Sequence, residues 1–118
     1  MEDGRIADIQ ITASSEYAPN HGPSNARLNR PAVGGTTGAW TAGAWCANSS
    51  DPTPWIQVDF GGVKMVSGVE LQGRKDLDQW VKAYKVEYGN DSNTLLTAMP
   101  MDHLNQDKSV SHHTTFRT

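Results

Sequence analysis

Residues 55–73 read WIQVDFGGVKMVSGVELQG, and the fold turns on how this stretch is divided. Ile56, Val58 and Phe60 alternate with Gln57 and Asp59, the period-2 pattern of a strand with one buried face. Gly61 and Gly62 follow at once, and glycine takes the positive φ that a two-residue hairpin turn requires. Residues 63–72 carry β-branched Val63, Val66 and Val69, punctuated by Gly62, Gly68 and Gly73, a composition that disfavours a helix. The stretch predicts a β-hairpin. Its second strand runs over 63–72, with Val69 and Leu71 facing one way and Gly68, Glu70 and Gln72 the other.

Working outward, residues 6–13 predict a first strand, with Ile9, Ile11 and Ala13 on one face and Gln10 and Thr12 on the other. Residues 81–88 predict another, with Tyr84, Val86 and Tyr88 inward, followed by a turn at Gly89-Asn90-Asp91-Ser92. A short strand fits 94–101, whereas 102–118 is polar, contains His103, His112 and His113, shows no period, and reads as a weakly ordered tail. Between these elements lie two long loops, 16–31 and 32–54, and a shorter one, 74–80. Long loops in so small a domain are usually functional. The second contains a near-duplication, Gly38-Ala39-Trp40-Thr41-Ala42 and Gly43-Ala44-Trp45-Cys46-Ala47. Trp45 and Trp55 are expected in the core, since large aromatics are mostly buried.

Composition narrows the classes. The chain has 118 residues, enough for one core, and its 11 Gly and 6 Pro suit a β protein rich in turns. No apolar run reaches membrane-spanning length, and the opening MEDGRIADIQ lacks the apolar core of a signal peptide. A net charge of −3 argues against long-range attraction to nucleic acid or an acidic membrane, although a basic patch still acts at contact range. The single cysteine, Cys46, excludes a disulfide within the chain and is expected to be a buried thiol.

Six ordered stretches together resemble a discoidin domain, the coagulation factor V/VIII C-terminal type: IQITASS (9–15), SNARLN (24–29), GAWCA (43–47), WIQVDFG (55–61), VSGVELQGR (66–74) and WVKAYKVEY (80–88). The resemblance covers residues 1–93 and leaves 94–118 as a non-matching segment. It implies an all-β fold, a jelly-roll β-sandwich or distorted barrel of the galactose-binding-domain-like kind. It also implies an extracellular or cell-surface module, part of a larger multidomain protein, that binds rather than catalyses. Ligands across that family include anionic phospholipid, galactose-type sugars, collagen and growth-factor peptides. Two features depart from the family pattern. Both cysteines that normally link the start to the end are absent, so the chain resembles a copy without its closing strands. Trp45 matches the single family tryptophan of this region, which places Trp40 on an insertion.

By the same resemblance, loops 16–24, 31–41 and 74–80 converge at one end and choose the ligand. The candidate ligand-binding residues are Tyr17, Asn20, His21, Trp40, Arg74, Lys75, Leu77, Asp78 and Trp80. Tyr17, Trp40, Leu77 and Trp80 offer apolar or aromatic surface to a bilayer interface or a sugar face, against the plainer expectation that Trp80 packs at the base of its loop. Arg74 and Lys75 offer positive charge to carboxylate or phosphate. For Arg27 and Arg74 the stronger expectation is an ion pair with Asp59, Asp76 or Asp78 that ties a loop down. Asn20, His21 and Asp78 can bond sugar hydroxyls, and each is equally at home in a solvated turn. Carbohydrate on cell surfaces or matrix is the first ligand expectation and anionic phospholipid the alternative; a structural module without its own small ligand is the third.

Catalysis finds little support. Ser14-Ser15 lacks a nucleophile-elbow setting, and Asp102-His103 and His112-His113 stand in the unpatterned tail. Gly34-Gly35-Thr36-Thr37-Gly38 lacks the lysine of a phosphate loop. No cofactor is implied; calcium is compatible with the loop carboxylates and carbonyls, but no spacing demands it. Asn48-Ser49-Ser50 and Asn90-Asp91-Ser92 are glycosylation acceptor patterns in turns, which suits a secreted domain.

Overall fold

Ile11, Ile56 and Val58 are almost completely buried, and the two strands that carry them lie side by side. They are seen in a computed structural model that describes residues 1–34, 40–66, 68–89 and the strand backbones Leu96–Met101 and Thr114–Arg117. Strand β1 (Ile11–Ala13) pairs antiparallel with β2 (Ile56–Asp59), Ile11 opposite Val58 and Ala13 opposite Ile56. Strands β3 (Tyr84–Tyr88), β4 (Leu96–Met101) and β5 (Thr114–Arg117) complete one five-stranded sheet in the order β1-β2-β5-β3-β4. β5 is parallel to both neighbours, so Thr114 stands between Ile56 and Val86. β4 pairs antiparallel with β3 and forms an edge, where Pro100, which has no amide to donate, is tolerated.

Apart from the sheet, the regular elements among the described residues are three single-turn 3-10 helices, Asp8–Gln10, Pro19–His21 and Pro23–Asn25. No helix there is long and apolar enough to cross a membrane. The chain is therefore strand-dominated, with long irregular connections. Ile11, Trp45, Ala47 and Ile56 form its core, with Met1, Ile6, Ala13 and Ala26 packed around them. Trp45 is the largest fully buried side chain, and its indole Nε1 donates to the Ser15 carbonyl at 2.9 Å, so the ring enters the core without an unmet donor.

Several sequence expectations change. The turn chemistry after β2 is as read: Gly61 has φ +69, and its amide donates to Asp59 Oδ1 at 2.8 Å. The hairpin partner is not. Residues 63–72 form no strand among those described, and Val63 and Met65 point into solvent, Met65 97% exposed. β2 takes β1 and β5 as neighbours instead. Alternation identifies a strand's faces but carries no information about its partner. The far end of that stretch is held by side chains: Gln72 Oε1 accepts from the Asn29 amide at 2.6 Å, and Gln72 Nε2 donates to Asn29 Oδ1 at 3.2 Å.

The first strand is also shorter than expected. The Gln10 amide donates to the Ala7 carbonyl and Gln10 Oε1 accepts from the Ala7 amide at 2.8 Å, which winds Asp8–Gln10 into a turn. Such local side-chain bonding competes with a ladder, and it turns Ile9 outward. Trp55, one residue before β2, is exposed rather than core, although Gln57 on the same face is buried with Ile56 and Val58. In β3, Val86 is buried and Tyr84 half-buried as expected, but Tyr88 is exposed at the strand end, beyond a register shift between Tyr84 and Val86. Leu96–Met101 forms the short strand expected there. Thr114–Arg117 joins the middle of the sheet although its sequence shows no period. Asn90-Asp91-Ser92, His103, His112 and His113 lie outside the described residues.

Two substitutions test this packing. Trp45→Ala is expected to cost about 3–5 kcal/mol through the cavity and the orphaned Ser15 carbonyl. It would be read as a lower urea midpoint at unchanged slope. At Gly43 a Cβ would meet the Arg30 carbonyl at 2.7 Å and the Ala32 amide nitrogen at 2.8 Å, so Gly43→Ala must push the backbone of residues 30–32 away and lower the midpoint. Gly62→Ala, which meets open space, is the control and should stay within about 0.5 kcal/mol of wild type.

Candidate functional site

The core segment 42–47 is also the post on which the first loop hangs. The Tyr17 amide donates to the Cys46 carbonyl at 2.8 Å, the Cys46 amide to the His21 carbonyl at 3.2 Å, and the Ala42 amide to the Asn20 carbonyl at 3.0 Å. Within the loop, Pro19 starts a 3-10 turn that the His21 amide closes onto the Ala18 carbonyl at 2.8 Å. Asn25, buried, donates its side-chain amide to the Asn20 carbonyl at 3.1 Å. The second loop is pinched by a bridge between Val33 and Thr41, with both amide-to-carbonyl bonds made, which sets Trp40 beside the first loop. The tip between them, 35–39, lies outside the described residues.

Side chains then tie the three loops into a ladder. The Tyr17 and His21 rings meet edge-on at 5.5 Å between centroids, and His21 meets Trp40 edge-on at 5.4 Å. The Arg74 guanidinium lies over the Trp40 ring at 5.4 Å. Cation–π and T-shaped contacts of this kind each contribute on the order of 0.5–1.5 kcal/mol. Arg74 itself is buried and braced: Nε and Nη2 donate to the two oxygens of Asp76 at 2.8 and 2.9 Å, and Nη1 donates to Gln79 Oε1 at 3.0 Å. The Arg74 amide donates to the Gln79 carbonyl at 3.2 Å and the Gln79 amide to the Leu77 carbonyl at 2.8 Å, closing the third loop on itself.

The electrostatics follow from that burial. Loss of solvent lowers the pKa of His21, the positive charge of Arg74 lowers it further, and Asp76 opposes both. Its Nδ1 lies 2.8 Å from Asn20 Oδ1 and donates to it. The hydrogen bonds from Arg74 lower the pKa of Asp76, and their pairing keeps Arg74 charged. Burial pushes the Cys46 thiol up, partly offset by nearby Arg74, so it is the inert buried thiol expected from composition.

The nine sequence-selected residues divide by exposure. Tyr17 (63%), Trp40 (38%), Leu77 (48%) and Trp80 (45%) present large apolar surface, and Lys75 and Asp78 are exposed beside them on the third loop. Asn20 is half-buried, and His21 and Arg74 are buried within the ladder. Tyr17, His21, Trp40 and Arg74 are in direct contact, so the three loops converge as the resemblance implied. Arg27 ties down the chain start rather than this rim. It donates to the carbonyls of Met1 and Ile6 at 2.6 and 2.7 Å and pairs with Asp8 at 2.5 Å, not with Asp59, Asp76 or Asp78. Sequence reading missed buried Asn25 and exposed Gln79; each is a loop amide, and no local pattern marks which loop amides will bond within their loops. Among the described residues no cluster of three or more His, Cys, Asp or Glu side chains is placed to hold a metal ion.

A strand scaffold thus carries three loops joined into one braced aromatic rim. The F5/8 type C domain family model matches residues 10–118, and the chain belongs to that family. It is 42% identical over 98 residues to lactadherin of Rattus norvegicus, covering 77% of this chain and 21% of the relative. It is 38% identical over 97 residues to hemocytin of Bombyx mori, covering 82% and 3%, and 36% identical over 96 residues to retinoschisin of Takifugu rubripes, covering 77% and 31%. The chain thus spans less than a third of the length of each of these relatives. No solved structure matches it significantly.

Two consequences are measurable. With its folded-state pKa below the ordinary value, His21 takes a proton more readily in the unfolded chain. Its contribution to stability is full above about pH 6.5 and is lost as the pH falls below that value toward the folded-state pKa. Thermal midpoints between about pH 7.5 and pH 5 should fall in wild type, and less steeply in His21→Gln. Arg74→Lys keeps the charge but loses the fork, and should cost about 1–3 kcal/mol by chemical denaturation.

Proposed function

We propose that this chain is a non-enzymatic extracellular binding module of jelly-roll β-sandwich type, whose rim attaches to anionic phospholipid. One observation carries the reading. The polar candidates Asn20, His21 and Arg74 are spent on bracing, whereas Tyr17, Trp40, Leu77 and Trp80 keep apolar surface in solvent. Large apolar side chains held out on braced loops suit a bilayer interface, where tryptophan and tyrosine are favoured. Lys75 is exposed on the third loop, and among the described residues no ion pair engages it, so it is a cation available to a lipid headgroup there. With an overall charge of −3, attraction depends on this local contact and on apolar insertion rather than on long-range steering.

Carbohydrate is the second reading, and Trp40 supports it. Its ring is backed by Arg74 and still partly open, a platform on which the apolar face of a sugar can stack.

Vesicle co-sedimentation separates the two. Binding should require phosphatidylserine. Leu77→Ser with Trp80→Ser should weaken it roughly tenfold or more, from about 1 kcal/mol of half-exposed surface each. Lys75→Ala should weaken it about fivefold, as one cation near an acidic surface contributes about 1 kcal/mol. Indifference to phosphatidylserine would end the membrane reading. Glycan-array binding abolished by Trp40→Ala would install the second in its place.

A further inference from the structure

We infer that Asn48 is an N-glycosylation site, and that its glycan stands at the foot of the first rim loop. The inference rests on the extracellular part of the reading above, because the modifying machinery works in the secretory pathway. The acceptor pattern Asn48-Ser49-Ser50 has no proline at its middle position or directly after it. A glycan is bulky and needs a surface position, and Asn48, Ser49 and Ser50 are all exposed.

The local geometry suits the chemistry. Asn48 Oδ1 accepts two hydrogen bonds from Ser50, from its amide at 3.0 Å and from its hydroxyl at 2.8 Å. The hydroxyl that the pattern demands is thus already in contact with the side-chain amide to be modified. Both bonds fall on the oxygen. Among the described residues no hydrogen bond uses Asn48 Nδ2, and the residue is exposed. In the reaction, Asn48 Nδ2 attacks the anomeric carbon of a lipid diphosphate-linked oligosaccharide. The N–C bond forms, the bond from that carbon to the phosphate oxygen breaks, and the lipid diphosphate leaves with its electron pair. The amide nitrogen gives up one proton.

The backbone around the site is fixed. The Asn48 amide donates to Ser15 Oγ at 3.1 Å, and the Asp51 amide donates to the Asn48 carbonyl at 3.0 Å. Asp51 Oδ2 in turn accepts from the hydroxyls of Ser14 and Ser15, each at 2.6 Å. Ser14 and Ser15 lead from β1 into the first rim loop, so a glycan on Asn48 would flank the rim and leave the ladder uncovered.

The test is expression of the full chain behind a secretion signal in a eukaryotic cell, with lysate and medium both analysed. Amidase removal of N-glycans should increase gel mobility. In heavy-oxygen water it should leave a labelled aspartate in place of Asn48 in the mass spectrum. Asn48→Gln and Ser50→Ala should abolish the label at this position, and Ser50→Thr should retain it, which a mere folding defect would not arrange. Wild type without the label at position 48, or a shift removed only by Asn90→Gln, would overturn the inference. Because the signal is supplied and the readout is covalent, these outcomes are independent of any ligand bound by the rim.

Discussion

The indole of Trp45 is the constraint on which both halves of the molecule depend. It packs against Ile11 of β1 and Ile56 of β2, and its only polar atom is satisfied by the Ser15 carbonyl. The next residue, Cys46, uses its amide and its carbonyl to hold His21 and Tyr17. One short segment therefore packs the core with its side chain and suspends the first loop with its backbone. Burial of that ring is non-directional, but the bonds on either side of it are directional, and together they turn a hydrophobic contact into a defined loop position.

From that anchor the rim is assembled in steps that each need the previous one. His21 can be buried only because the Cys46 amide and Asn20 give its polar groups partners. Trp40 can lean on His21 only because Val33 and Thr41 close the second loop. Arg74 can lie over Trp40 because Asp76 and Gln79 absorb its hydrogen-bonding capacity; a buried guanidinium with open donors would be costly. Loops that would otherwise lose much conformational entropy on meeting a ligand are already ordered.

What could be read in the sequence was what local chemistry determines. The glycine turn after Asp59 takes its positive φ, Ile56 and Val58 are buried, Val86 is buried, and Trp45 is core. What could not be read was selection among distant partners. Residues 63–72 have strand composition, yet β2 pairs with residues 114–117, which no periodicity distinguishes. Ile9 has the right spacing to be inward, but the side chain of Gln10 captures the Ala7 amide and reverses it. Trp55 was misjudged by size: residue type favours burial, yet it stands exposed just before β2, while Gln57 two residues on is buried. At the site, the loops themselves and the identity of their aromatic residues were legible. The division of those residues between bracing and exposure was not, because it depends on contacts between loops some twenty or more residues apart.

That division has a thermodynamic logic. A side chain exposed on a mobile loop gains contact with a ligand only after the loop is fixed, and the fixing cost is subtracted from the contact. Here the cost is met during folding by groups that no ligand needs to touch: Asn20, Asn25, Asp76 and Gln79. Leu77 projects from a loop already closed by its own carbonyl and the Gln79 amide, and Trp40 projects from a face already supported by Arg74. Their apolar surface remains in water at a cost that folding does not recover.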